Sequence, residues 1–119
     1  MTKQEVRKAW VKALRSGEYK QGRYSLCTLT PYNRYCCLGV LAELAVQHGI
    51  VEKNNESYDG RSGFLSSTIM KWVGLRTDSG EFTVSNKLNT LSILNDNEFT
   101  FSAIADIIEQ EPSGLFIVE

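Results

Sequence analysis

The N-terminal segment carries apolar residues at helical spacing. Its apolar stripe runs from Val6 to Leu14, and lysines and arginines occupy the other faces. Thr2 and Glu5 have the spacing of a capping box, in which each side chain satisfies the other residue's free backbone N–H. Gly17 suits the left-handed position that follows a helix. The pattern therefore predicts one amphipathic helix of about four turns.

A hairpin followed by a buried helix is predicted next. Residues 23–29 alternate loosely between two faces, and the Pro-Tyr-Asn-Arg stretch after them favours a turn, so residues 35–36 are expected to return as a second strand. Residues 37–48 are apolar on nearly every face, which is typical of a core helix. Gly39 lies inside that helix at a cost of about 1 kcal/mol relative to alanine. We therefore expect another element to approach the helix closely there.

The remaining residues predict further short elements. Residues 54–63 lack periodicity and are expected to form an exposed loop. A third helix is expected over residues 65–73, followed by a brief strand at 81–84. Ser85 is expected to cap a fourth helix that contains Leu88, Leu91 and Leu94, and Thr100 to cap the last one; residues 115–118 are expected to add an edge strand. Together these elements predict a single α+β domain over residues 1–119, with four to five helices, a short β-hairpin and edge strands.

Composition and cysteine usage bound the kind of protein. The chain has 119 residues, of which 42% are hydrophobic and 23% charged, and this is ordinary globular composition. Its longest apolar run, residues 36–41, is far shorter than the roughly 20 residues of a membrane span, and the charged N-terminus lacks the apolar region of a signal peptide. The three cysteines are an odd number, and two are adjacent, which argues against a disulfide framework. We expect a soluble protein of the cytoplasm with no membrane partner.

Charge is distributed unevenly along the chain. Residues 1–34 carry eight lysines and arginines against two glutamates, a net charge of +6, whereas the remaining residues carry five cations against twelve anions, a net charge of −7. Such polarity indicates either an anionic ligand near the N-terminal quarter or, more simply, a basic helix packed beside the acidic remainder of its own fold. A sequence pI of 5.9 argues against nucleic acid as the partner.

The cysteines raise the question of catalysis. Cys36 and Cys37 are expected at a helix N-terminus, where partial positive charge favours a thiolate. His48, however, lies at the far end of the same predicted helix, about 16 Å away, and cannot act as the base within one subunit. Small apolar core residues are the simpler interpretation of the thiols. No spaced Cys and His pairs and no nucleotide-cradle motif occur, so we expect no metal and no cofactor.

The segment between the first helix and the first strand is the strongest candidate for binding. Arginine and lysine bind phosphate, tyrosine stacks on a base, and a glutamine amide bonds its edge. The predicted ligand-binding residues are Arg15, Tyr19, Lys20, Gln21, Arg23 and Tyr24. The competing interpretation is a connecting loop whose tyrosines plug the core while its cations stay in water.

Several segments together resemble a known group of proteins. They are KALRSGEYKQGR at residues 12–23, RYCCLGVL at 34–41, KWVGL at 71–75 and LNDNEFTFSAIADIIE at 94–109. The chain resembles small, mostly uncharacterised proteins encoded by tailed bacteriophages and prophages, and the likeness spans most of its length. Residues 50–64 and 76–86 depart from that pattern.

The resemblance implies a setting more than a chemistry. Small phage-encoded proteins often act on the host, so we expect a non-enzymatic binding protein in the host cytoplasm that sequesters a phosphorylated, nucleotide-type signal of antiviral defence. A protein–protein inhibitor of a host factor and a thiol-dependent enzyme are the alternatives. Because so short a chain has few deep concavities of its own, we also expect a homo-oligomer.

Overall fold

The first helix, α1, spans Lys3–Arg15. The Glu5 N–H donates to Thr2 Oγ1 at 3.1 Å and the Thr2 N–H donates to Glu5 Oε1 at 2.8 Å, so the predicted capping box is confirmed. The hydrogen bond from the Thr2 N–H lowers the pKa of Glu5. Val6 and Trp10 lie fully buried on the inner face, as the apolar stripe predicts.

The computed structural model describes residues 1–118. In chain order, the elements after α1 are β1 (Cys27–Thr28), β2 (Arg34–Tyr35), α2 (Cys37–Gln47), β3 (Lys53–Asn54), β4 (Ser57–Tyr58), α3 (Ser67–Val73), β5 (Glu81–Val84), β6 (Lys87–Thr90), α4 (Leu91–Asp96) and α5 (Phe101–Gln110). The strands pair as three antiparallel hairpins, β1 with β2, β3 with β4 and β5 with β6. Five helices with short two-stranded sheets confirm the predicted α+β class.

Helix α2 forms the centre of the core. Leu38, Leu41 and Ala45 are fully buried on it. Helix α1 packs against α2, α3 and most extensively against α5, and the indole Nε1–H of Trp10 donates to the Cys37 carbonyl at 2.9 Å. A Cβ on Gly39 would lie 1.8 Å from the Leu26 carbonyl oxygen, which confirms the close approach predicted there.

Two hairpins replace elements that the sequence predicts differently. Residues 53–58 pair as β3 and β4, with Asn55 in the left-handed conformation at the turn, so the prediction of an unstructured loop is wrong over that stretch. Ser85 begins no helix, because both it and Asn86 have positive φ, the combination typical of a two-residue hairpin turn. Leu88 consequently lies on β6 and is exposed.

Two further predicted strands differ from those in the structure. The first strand is shorter than predicted, because Tyr24 has φ 73° and cannot continue an extended segment. Near the C-terminus, Phe116 forms a single bridge with Leu75 in place of an edge strand.

Thr100 caps α5 as predicted, accepting from the Ala103 N–H at 3.1 Å. In residues 1–118, no helix has the length and apolar character that crossing a membrane requires.

Candidate functional site

A groove between α1 and α5 has a volume of about 590 Å³. Its floor is apolar and consists of Val11 and Ile108, both buried. The wall of the groove that α1 contributes is basic, because α1 carries mainly polar positions beside Val11. Arg7, Lys8 and Lys12 are among the lining residues. The groove thus combines an apolar floor with a wall that carries cations of α1 and the carboxylates of Glu109 and Glu111.

The arginines of this wall are tied to acidic residues. Arg15 Nη2 lies 2.6 Å from Asp106 Oδ1, and Arg15 Nη1 lies 3.1 Å from Glu109 Oε2, so hydrogen bonds to Glu109 and Asp106 raise the pKa of Arg15. Arg7 Nη1 lies 2.9 Å from Glu111 Oε1. The basic first helix therefore packs beside acidic residues of its own fold, as the simpler interpretation of the charge asymmetry expects.

Arg7 is buried, although the helical pattern places it among the polar faces of α1. Its Nε–H donates to the Val73 carbonyl at 2.9 Å, and its guanidinium lies 3.9 Å from the ring centre of Phe116. It therefore holds α3 and the C-terminal segment against α1 as much as it lines the groove. No spacing rule distinguishes such a buried arginine from an exposed one.

Lys8 and Lys12 stand apart from these ion pairs. Both are exposed, both line the groove, and neither forms a salt bridge with any other residue of 1–118. Residues four apart on a helix lie on the same side, one turn from each other. The two ammonium groups are the unpaired positive charges of the groove.

Of the six predicted binding residues, Arg15 alone is among the residues that line the groove. Tyr19 is half-buried, with its ring edge-on to Tyr35 at 5.5 Å and its hydroxyl accepting from the Gln47 amide. Gln21 is held inside the fold: its amide donates to Asn95 Oδ1 at 2.8 Å and its Oε1 accepts from the backbone of α5 at 3.1 Å. Tyr19 thus follows the competing interpretation, in which tyrosines of a connecting loop plug the core, and the amide of Gln21 is engaged within the fold.

The other three predicted residues face outwards at separate places. Lys20 is exposed, with its Nζ 5.9 Å from the ring centre of Tyr32. Arg23 lies 3.6 Å from Glu98 across an exposed ion pair. Tyr24 is 78% exposed and borders a separate hollow of about 260 Å³. The six residues therefore do not converge on one cavity in the part of the chain that the structure describes.

Asn95 organises the interior beside this segment, a role that the sequence does not reveal. It is fully buried, and its Oδ1 accepts from the Gln21 amide and from the Cys37 N–H at 3.1 Å. Its Nδ2 donates to the Gly22 carbonyl at 2.8 Å. From the sequence, the Asn-Asp-Asn run is interpreted as a helix stop followed by an Asx turn in preference to a set of oxygen ligands for a cation.

The adjacent cysteines lie in an environment that disfavours the thiolate. Cys37 is fully buried, and Cys36 Sγ accepts from the Gly39 N–H as the N-cap of α2. Burial raises the pKa of Cys36 to about 11 and raises that of Cys37 well above its ordinary value, so desolvation outweighs the helix terminus. In residues 1–118, no three His, Cys, Asp or Glu side chains are gathered as they are around a metal ion.

A second polar cluster joins α2 to the β3–β4 hairpin. Glu43 Oε2 accepts from the Tyr58 hydroxyl at 2.5 Å and lies 3.1 Å from Lys53 Nζ. Lys53 Nζ also lies 5.5 Å and 5.2 Å from the ring centres of Tyr35 and Tyr58. Sequence reasoning missed this cluster because Tyr58 falls in the segment expected to be an exposed loop, and its contact with Glu43 of the core helix depends on the β3–β4 hairpin.

Comparison with known proteins assigns a family but no activity. No curated protein and no solved structure matches the chain significantly. A family model described as a domain of unknown function, DUF8296, matches residues 2–112. That match runs from the cap of α1 to just beyond the end of α5, so the chain belongs to the DUF8296 family.

Proposed function

We propose that this protein binds a compact anionic ligand of nucleotide type in the groove between α1 and α5. The observation that carries the proposal is the pairing of an apolar floor with two unpaired lysines in one concavity. A phosphate would lie against Lys8 and Lys12, and a flat base would lie over Val11 and Ile108.

The size of the groove suits such a ligand. Its volume of about 590 Å³ falls within the roughly 300–1,000 Å³ of pockets that hold drug-sized molecules. Ordinary ligand sites are mostly apolar, with a few polar groups that fix orientation. Here the fixing groups are the lysines and Gln4, which lines the same groove.

The charges of the groove favour an anion. The charges of Arg7 and Arg15 are offset by Glu111, Asp106 and Glu109. The ammonium groups of Lys8 and Lys12 remain, and two adjacent cations in a partly enclosed site attract a phosphate more strongly than isolated surface lysines do. Arg15 adds a third cation whenever a ligand phosphate competes with its carboxylate partners.

Binding without chemistry is the activity we propose. The thiol-dependent alternative needs an accessible thiolate, and the burial of Cys36 and Cys37, with their raised pKa values, works against it. The lining of the groove is supplied by lysine, arginine, glutamine, glutamate, serine and aliphatic side chains. Of these, the lysine, arginine, glutamine and serine side chains can hold and orient an anion.

The resemblance to small phage proteins supplies the setting of the proposal. In that setting the protein is made in the cytoplasm of an infected host, as a homo-oligomer, and sequesters a nucleotide signal of antiviral defence. Sequestration needs only tight, stoichiometric binding, which matches a groove that offers contacts for an anion and an apolar face.

Thermal unfolding against a panel of nucleotides tests the proposal. The panel contains linear and cyclic mononucleotides, cyclic dinucleotides and inorganic pyrophosphate. At about 100 times its Kd, a ligand adds roughly 2.7 kcal/mol to stability and raises Tm by about 10 °C for a domain of this size. A panel that leaves Tm unchanged throughout overturns the proposal.

A pair of charge-matched variants locates the site. Lys8→Glu with Lys12→Glu reverses the two groove charges, whereas Lys71→Glu with Lys87→Glu makes the same change in net charge at exposed positions outside the groove. The first double variant should lose the Tm shift and the second should keep it. Equal loss in both would indicate a response to net charge and not to the groove.

A further inference from the structure

We propose that Tyr24, Phe64 and Ile93 form a docking surface for a protein segment that presents a bulky apolar side chain beside a lysine or arginine. The three side chains are 78%, 44% and 57% exposed and border one hollow. Grouped apolar side chains at a concave surface mark sites of protein interaction, whereas single ones do not. Tyrosine is also enriched among the residues that dominate binding energy at interfaces.

The hollow is suited to one side chain. Its volume of about 260 Å³ lies below the roughly 300–1,000 Å³ of pockets that enclose small-molecule ligands. The rest of its lining is Ser25, Cys36, Gly63, Ser92 and Asp96, and the exposed aromatic and aliphatic side chains stand at its edge. An apolar anchor from a partner chain would fill the hollow and cover these three exposed side chains.

The surface is held in place before any partner arrives. The Tyr24 N–H donates to Asp96 Oδ1 at 2.9 Å, which fixes the backbone that carries the exposed ring. The Leu26 N–H donates to the Ser62 carbonyl at 2.8 Å and joins this loop to the one that carries Phe64. A preorganised surface loses less conformational freedom on binding.

The negative charge of Asp96 beside the hollow favours a partner that carries a cation. Asp96 lines the hollow and forms no salt bridge with any residue of 1–118. Glu98, two residues beyond the end of α4, has a side chain that is 80% exposed and pairs with Arg23 at 3.6 Å. A partner lysine or arginine would pair with Asp96 and lie over the exposed ring of Tyr24, a favourable contact for a cation.

This surface is independent of the proposed ligand site. The residues that line the hollow and those that line the groove between α1 and α5 do not overlap. The two sites can therefore be disabled by separate mutations, so a test of the docking surface does not depend on whether the groove binds a nucleotide.

Selection from a displayed library of random dodecapeptides on the whole chain tests the inference. We expect enriched peptides to carry a bulky apolar residue within two positions of a lysine or arginine. For a resynthesised peptide, Ile93→Ser should weaken binding by about tenfold, as loss of an interface anchor does. Asp96→Asn keeps the acceptor for the Tyr24 N–H and should weaken binding by about threefold, with a smaller salt dependence.

The double variant Lys8→Glu with Lys12→Glu serves as the control and should bind the peptide as the parent does. Phe64→Ser repeats the test at a second exposed position if Ile93→Ser lowers Tm. The proposal is overturned if no peptide is enriched or if the enriched peptides are acidic or lack a cation. It is also overturned if neither Ile93→Ser nor Phe64→Ser weakens binding. The proposal is likewise overturned if the chain dimerises and Ile93→Ser abolishes the dimer, because the occupant of the hollow is then a second copy of the chain.

Discussion

The side-chain amide of Gln21 donates a 2.8 Å hydrogen bond to Asn95 Oδ1, across 74 residues of sequence. The same Asn95 oxygen accepts from the Cys37 N–H at the start of α2, and the Asn95 amide donates to the Gly22 carbonyl. One buried amide thus joins the loop after α1, the core helix and α4. Polar groups inside a fold cost free energy unless all are paired, so this arrangement fixes one packing of three segments.

Asn95→Ala should lower the free energy of unfolding by roughly 2–5 kcal/mol. Alanine leaves the buried Cys37 N–H and Gly22 carbonyl without partners, and each unsatisfied group costs about 1–3 kcal/mol. Urea unfolding followed by tryptophan fluorescence measures the change. Asn89→Ala is the control: its amide makes one exposed hydrogen bond, so we expect a change of about 0.5 kcal/mol or less. Equal effects of the two substitutions would contradict a special role for Asn95.

Gly39→Ala should destabilise the fold by about 3 kcal/mol or more, because a Cβ would collide with backbone that cannot rotate away. The Cβ would lie 1.8 Å from the Leu26 carbonyl oxygen and 2.7 Å from its carbon. Gly63→Ala is the matched control, since no atom lies within 4 Å of the added Cβ. The midpoint of thermal unfolding separates the two variants, and a Gly39→Ala protein as stable as Gly63→Ala would show that α2 shifts freely.

The three cysteines should resist alkylation while the protein is folded. All three are buried, and burial raises the pKa of Cys36 to about 11, so the reactive thiolate is scarce near neutral pH. Iodoacetamide at pH 8 followed by intact-mass measurement should find no adduct on the native protein and one adduct per cysteine in urea. Rapid single labelling of the native protein would instead support the thiol-dependent alternative.

Local patterns predicted most of the helices and the β1–β2 hairpin but missed the β3–β4 and β5–β6 hairpins. Caps and periodicity located α1, α2 and α5, because a capping side chain and an apolar stripe are local features that a few neighbouring residues determine. The β5–β6 hairpin was missed because Leu88 falls at helical spacing with Leu91, and only the left-handed pair Ser85 and Asn86 distinguishes a turn from a cap.

The candidate site was predicted less well than the fold, for a physical reason. Whether Gln21 faces a ligand or Asn95 depends on a contact between distant segments, and sequence spacing does not encode such contacts. Charge asymmetry indicated a basic surface on α1 but not which cations remain unpaired. That depends on α5, whose Asp106 and Glu109 pair with Arg15, whereas Lys8 and Lys12 form no salt bridge in residues 1–118.

The cluster of Glu43, Lys53 and Tyr58 makes the free energy of unfolding decrease at alkaline pH. Burial and the hydrogen bond to Glu43 raise the pKa of Tyr58. Burial alone would lower the pKa of Lys53, but its hydrogen bond to Glu43 and the negative charge there outweigh that effect and raise it. Unfolded tyrosine and lysine titrate near about 10 and 10.4. Both groups therefore hold their protons more tightly in the folded state, and their contribution is complete below pH ~10 and lost as the pH rises through the folded values.

The free energy of unfolding should accordingly be flat with respect to these groups from pH 7 to 9 and fall above pH ~10, by about 1.4 kcal/mol per pH unit for each group that ionises only on unfolding. Urea midpoints measured between pH 8 and 11 give the slope. Tyr58→Phe removes one such group, so its slope above pH 10 should be shallower than that of the parent, whatever constant loss the missing hydrogen bond causes. Parallel slopes for the two proteins would mean that Tyr58 ionises in the folded state and that Glu43 does not hold its proton.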